Sequence, residues 1–122
     1  MTDIIQLVGR LMLALIFILA GISKIQDPAG TIGYMQSVGL PGALLWPTIA
    51  LEILGGICIA VGFKTCYTAF ALAGFSVLTA ALFHSNFGDQ MQMILFMKNI
   101  AIAGGLLILA TAGKTGFSLD KD

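Results

Sequence analysis

The sequence predicts an all-α membrane protein, a four-transmembrane-helix antiparallel bundle that uses residues 1–122 as a single domain. Three observations carry that prediction. Only 10% of the residues are charged and 58% are hydrophobic, whereas soluble domains carry about a quarter charged residues. A mean hydropathy of +1.00 leaves more apolar surface than so small a chain can hide in an interior of its own. The apolar residues also fall into four runs, each close to the roughly 20 residues that cross a hydrocarbon core about 30 Å thick.

The first run covers about residues 4–23 and is closed by Lys24, Asp27 and Pro28. The second covers about 43–63 and ends at Lys64, the third about 66–84, and the fourth about 93–112. Lipid offers no hydrogen-bond partners to a bare backbone, so these runs are helices. Residues 1–6 carry neither the basic stretch nor the cleavage site of a signal peptide, so the first run is expected to stay as a membrane helix. The link from Lys24 to Gly42 is the longest, and its mildly amphipathic stretch 32–38 suits a short interfacial helix. A very short link at Lys64-Thr65 forces an antiparallel hairpin, and residues 85–92 form a short polar link between the last two spans. Small residues four apart (Gly56 and Ala60, Ala69 and Ala73, Ala101 and Gly105) allow close helix approach. Four spans put both termini on one side. Lys64, Lys114 and Lys121 lie on that side against Lys24 on the other, which predicts cytoplasmic termini.

Ionisable groups inside the apolar runs are the functional lead, because a charge at membrane depth is costly unless it is paired or wetted. Arg10, Glu52 and Lys98 are such groups. Counted from the terminal side at 1.5 Å per residue, they lie at about 9, 16 and 21 Å. Ser76 and Thr79 fall at about 15–20 Å, and Asn99 follows Lys98 about 100° round its helix. A shared polar core is therefore expected, formed by Arg10, Glu52, Lys98, Asn99, Ser76 and Thr79. Arg10 and Glu52 alone would serve as a register-fixing pair. Lys98 adds a second cation, which calls for an anionic or carbonyl-bearing ligand, a wet cavity, or an outward, snorkelling side chain.

His84, at the end of the third span, is a candidate interfacial ligand contact or simply a polar helix end. The single histidine and two cysteines supply too few converging ligands for a zinc or haem site. Cys58 and Cys66 differ in depth and read as small apolar fillers rather than a disulfide. Trp46, Tyr34, Tyr67 and Phe87 fall near the interfaces, where aromatic belts lie. A formal net charge of zero gives no argument for nucleic acid.

Several segments resemble one family in the same order. Gly9-Arg10-Leu-Met-Leu-Ala-Leu-Ile-Phe17 followed by Gly21-Ile-Ser-Lys24 is similar to the opening of the DoxX family. Gly39-Leu-Pro41 with Glu52-Ile-Leu-Gly-Gly56 and Gly62 resembles its second segment, and Lys98-Asn-Ile-Ala-Ile-Ala-Gly-Gly105 its fourth. The resemblance implies a small, multi-pass protein of the bacterial inner (plasma) membrane. It also implies an accessory role in membrane redox chemistry, with Arg10, Glu52, Lys98 and Asn99 as polar core, and it assigns no catalytic residue. Quinone is the one cofactor this reading admits, with membrane lipids and a redox protein as partners; a homo-oligomer is compatible with it. Two other readings stand beside it. One is a non-catalytic scaffolding module for other membrane proteins. The other is a small proton-coupled transporter using Glu52, which two nearby cations disfavour for cationic cargo.

Overall fold

A computed structural model describes residues 1–120. Five α-helices and one short 3-10 turn make up the fold, and there is no strand among the described residues. Helix α1 (Thr2–Gln26) stops where Pro28 cannot continue it, and α2 (Pro28–Ser37) starts on that proline. The Asp27 carboxylate accepts a hydrogen bond from the Gly30 N–H at 3.1 Å and so caps α2. Gly39, at φ 85°, turns the chain back, and the 3-10 turn Gly42–Leu44 feeds α3 (Leu45–Val61).

The hairpin between α3 and α4 (Thr65–Phe83) is as tight as the sequence requires. Gly62 closes α3 in the left-handed region at φ 71°, and Phe63 N–H reaches back to Cys58 O at 2.9 Å. Lys64 is also left-handed, at φ 48°, immediately before α4. Asp89 caps α5 (Gln90–Ala110) through its carboxylate and the Met91 N–H, at 3.0 Å. Four helical segments are long and apolar enough to cross a membrane: Thr2–Gln26, Gly42–Val61, Thr65–Phe83 and Gln90–Ala110. The first runs on to Gln26 and the last starts early, at Gln90, because Asp27–Pro28 and Asp89, not a change in hydrophobicity, set those ends; the last stops at Ala110, two residues short of the expected 112. The interfacial helix begins at Pro28 rather than at residue 32.

Packing divides the bundle into two close pairs, α1 with α3 and α4 with α5, joined through α3 and α4; α1 and α5 barely touch. A Cβ at Gly56 would lie 2.7 Å from Ile18 Cγ1 and 3.2 Å from the Ala14 carbonyl oxygen, so glycine sets the α1–α3 spacing. Ala14, Phe17, Ile59, Leu72, Ala103 and Leu106 lie in the central core. Met35, Leu45 and Ile49 form a smaller one beneath α2. Outward faces, such as Leu11 and Leu15 on α1, are left for lipid.

After α5 the chain folds back across the terminal side. Arg10, 1% exposed, donates from Nη1 to Thr115 Oγ1 (2.5 Å) and Gly116 O (2.6 Å), and from Nη2 to Phe117 O (2.9 Å). Gln6 Oε1 accepts from Gly116 N–H at 2.8 Å. Leu119 N–H donates to Val61 O at 3.0 Å, and the Asp120 carboxylate accepts from Thr65 N–H at the start of α4. The expected contact of Arg10 with Glu52 is therefore replaced. Glu52 packs beside Gly21, about 16 Å along α1 from Arg10, and the tail carbonyls lie within reach instead. Lys121, one of the lysines behind the orientation argument, lies outside the described residues.

Two outcomes test this packing. Gly56→Val should destabilise the bundle by about 1–3 kcal/mol in detergent unfolding, while Gly74→Ala should be near neutral, since a Cβ there meets nothing within 4 Å. Arg10→Ala should cost at least about 2 kcal/mol and raise proteolysis within residues 113–120. Arg10→Lys should recover only part of this, because an ammonium lacks the planar fork.

Candidate functional site

The buried carboxylate finds its cation on the neighbouring helix. Lys24 Nζ lies 2.7 Å from Glu52 Oε1. Gly21 makes this possible, since a Cβ there would sit 2.5 Å from Ile53 Cγ1 and 3.5 Å from Glu52 Cβ. With α3 that close, Lys24, about 4.5 Å further along α1, turns back along the helix instead of reaching the interface. The Glu52 side chain is 2% exposed and that of Lys24 is 27% exposed. The anion is thus enclosed while the cation keeps one open flank.

That flank belongs to a cavity of about 510 Å³ among α1, α3, α4 and α5, in the half of the bundle nearest α2. Lys24, Glu52, Ser76, Thr79, Lys98, Asn99 and His84 all line it. The remaining wall is mostly apolar, with Phe17, Leu51, Phe75 and Ile102 among its residues. Of the expected polar core, only Arg10 stands apart, on the terminal side. Sequence reasoning placed Lys24 at a helix end and so missed it as the partner of Glu52. Gly21, three residues before that lysine, permits the close approach, but a glycine alone does not say which helix comes there.

Within the cavity the polar groups differ in how well they are satisfied. Asn99 Nδ2 donates across to α4, to Thr79 Oγ1 at 3.3 Å and Ser76 O at 3.5 Å. Thr79 Oγ1 donates to Ser76 O at 3.1 Å, and Ser76 is buried. These bonds close the α4–α5 pair at the level of the cavity. His84 Nδ1 lies 3.1 Å from Gln92 Oε1 and ties the end of α4 to the first turn of α5. Lys98 faces the same space with no hydrogen bond or ion pair among the described residues. At formal charges Lys24 and Glu52 cancel, and Lys98, exposed on the cavity wall, adds one cation with no counter-charge among the described residues.

Helix α2 covers the cavity at the interface. Tyr34 stacks on Phe83 with ring centroids 5.0 Å apart, and its hydroxyl donates to Phe83 O at 3.3 Å. Thr31, Tyr34 and Met35 contribute the cavity wall on this side. Among the described residues no three His, Cys, Asp or Glu side chains are grouped as a metal site demands. Cys58 and Cys66 are both free thiols.

Known proteins place this architecture. The family described as DoxX matches residues 5–85, the stretch from α1 to the end of α4 that holds Lys24, Glu52, Ser76 and Thr79. The chain is 46% identical over 119 residues to the inner membrane protein YqjF of Escherichia coli, covering 98% of this chain and 92% of that one. It is 36% identical over 125 residues to the inner membrane protein YphA of the same organism, covering 97% and 89%. CatD of Bacillus subtilis, whose name assigns it provisionally to the oxidoreductases, is 35% identical over 63 residues, 52% of this chain and 47% of that one. No solved structure matches. The family match and the full-length similarity to YqjF agree with the four spans, and the chain is an integral membrane protein of the DoxX family.

Proposed function

We propose that the cavity binds a quinone or lipid-like molecule through a carbonyl or anionic head, and that the protein is an inner-membrane accessory subunit supporting redox chemistry. One observation carries the reading. Lys98, an exposed residue, lines a largely apolar cavity without a counter-charge among the described residues, beside a Lys24–Glu52 pair whose formal charges cancel. A head bearing a carbonyl or negative charge would accept from the Lys98 ammonium, and the apolar wall would take the rest. The volume of about 510 Å³ falls within the roughly 300–1,000 Å³ usual for small-molecule sites. The names of YqjF and YphA support the inner-membrane location, and that of CatD supports the redox association.

The residues divide the work. Lys98 recognises the head, Asn99 and Thr79 hold the two walls together, and Lys24 keeps Glu52 from repelling an anion. Electrons would come from a partner protein, and the role of this chain is to hold the acceptor or its lipid surroundings.

The test is native mass spectrometry of the detergent-purified protein, with extraction of bound small molecules. Wild type should release a quinone or an acidic lipid that Lys98→Ala loses, with unfolding unchanged because Lys98 is exposed and makes no described contact. An empty wild-type cavity would overturn the reading. In the same preparation Glu52→Gln should destabilise the fold by about 2 kcal/mol. That is less than for a fully buried pair, because Lys24 keeps some access to water.

A further inference from the structure

The cavity is not the bundle's only hollow. A second one, of about 580 Å³, runs between α1 and α5 on the terminal side, where these helices barely touch. Its walls are apolar and shallow because Gly9, Gly105 and Ala112 stand where larger side chains would fill it. A Cβ at Gly9 would meet nothing within 4 Å, and one at Gly105 would make only ordinary contact with Leu13. Ile16 and Ile102 line both hollows. The two spaces therefore follow one another along the same pair of helices, with these isoleucines on the boundary between them. From Ile16 to Gln6 the groove is about 15 Å long, comparable to half the hydrocarbon core.

We infer that the ligand of the cavity carries one long apolar chain, prenyl or acyl, which passes between Ile16 and Ile102 and lies in the α1–α5 groove. The inference rests on the ligand reading above and adds the shape of the molecule and its route, sideways from the bilayer rather than from water. Charge settles the orientation. The Arg10 guanidinium at the far end of the groove already faces three oxygen acceptors, and only its Nε lacks one. Lys98 faces none. The head belongs at Lys98 and the chain in the groove. Two ligand sources share this chemistry, a free fatty acid and a prenylated quinone.

Photolabelling in phosphatidylcholine liposomes separates them. Two probes are used, a long-chain fatty acid and a prenylated benzoquinone, each made with a diazirine either beside the head or at the chain end. For at least one probe, the head-side diazirine should label cavity residues such as Leu51 and Phe75, and the chain-end diazirine should label Leu13 and Leu109. Lys98→Ala should lower both signals about tenfold, the scale of one lost charge-assisted contact. Gly9→Phe, which fills the groove from open space, should lower the chain-end signal by about the same factor. The probe that labels identifies the head. Cavity labelling combined with chain-end adducts spread over lipid-facing Leu11, Leu15 and Leu107 would overturn the chain placement and leave the ligand site standing. Head-side labelling at Leu13 would reverse the orientation and also overturn it. Absence of cavity labelling by either probe would remove both this inference and the reading on which it rests.

Discussion

A carboxylate held among hydrocarbon chains needs a cation within contact distance, and most of this structure follows from how Glu52 obtains one. The partner is Lys24 at 2.7 Å, and it is available because Gly21 lets α3 come against α1. That contact fixes the register of the α1–α3 pair, and Gly56 repeats the close approach about one turn further along α3. Van der Waals contact and a buried ion pair act here in the same direction. In lipid, where helices gain nothing by hiding from each other, such coincidence is what specifies a packing.

The second pair, α4 with α5, is built on different terms. Ala69, Leu72, Ala73, Ala103 and Leu106 supply the close fit, and Asn99 bonds across to Thr79 and Ser76. The two pairs join tightly only through the α3–α4 hairpin and its neighbourhood. A bundle assembled from two such halves leaves space along the opposite seam, between α1 and α5. Both hollows have their origin in that asymmetry, and Lys98 sits at its edge.

Much of this was legible in the residues. The four spans follow from hydropathy, the tight turn from the two-residue gap at Lys64, and the shared level of Glu52, Lys98, Asn99, Ser76 and Thr79 from helical rise alone. Two contacts were not. A lysine closing an apolar run reads as an interfacial anchor, and nothing local in the sequence says that Lys24 turns inward; that depends on how near α3 comes. Arg10 was recognised as buried, but its acceptors are a threonine hydroxyl and two main-chain carbonyls. Carbonyls carry no residue signature, so an arginine satisfied by backbone looks in sequence like one still seeking a carboxylate. The placement of α2 over the cavity depends on Tyr34 meeting Phe83, a contact between segments far apart in the chain.

The clasp on Arg10 has a consequence for how the protein is made. Arg10 lies in the first of the four spans, whereas Thr115, Gly116 and Phe117 follow the fourth. Throughout synthesis the guanidinium has to remain hydrated or be carried by lipid phosphates, and the terminal side of the bundle stays open. Only when residues 115–117 have left the ribosome can that charge be enclosed. Closure of the terminal side thus waits on residues 115–117, and a nascent protein stalled before that point leaves the Arg10 charge uncovered.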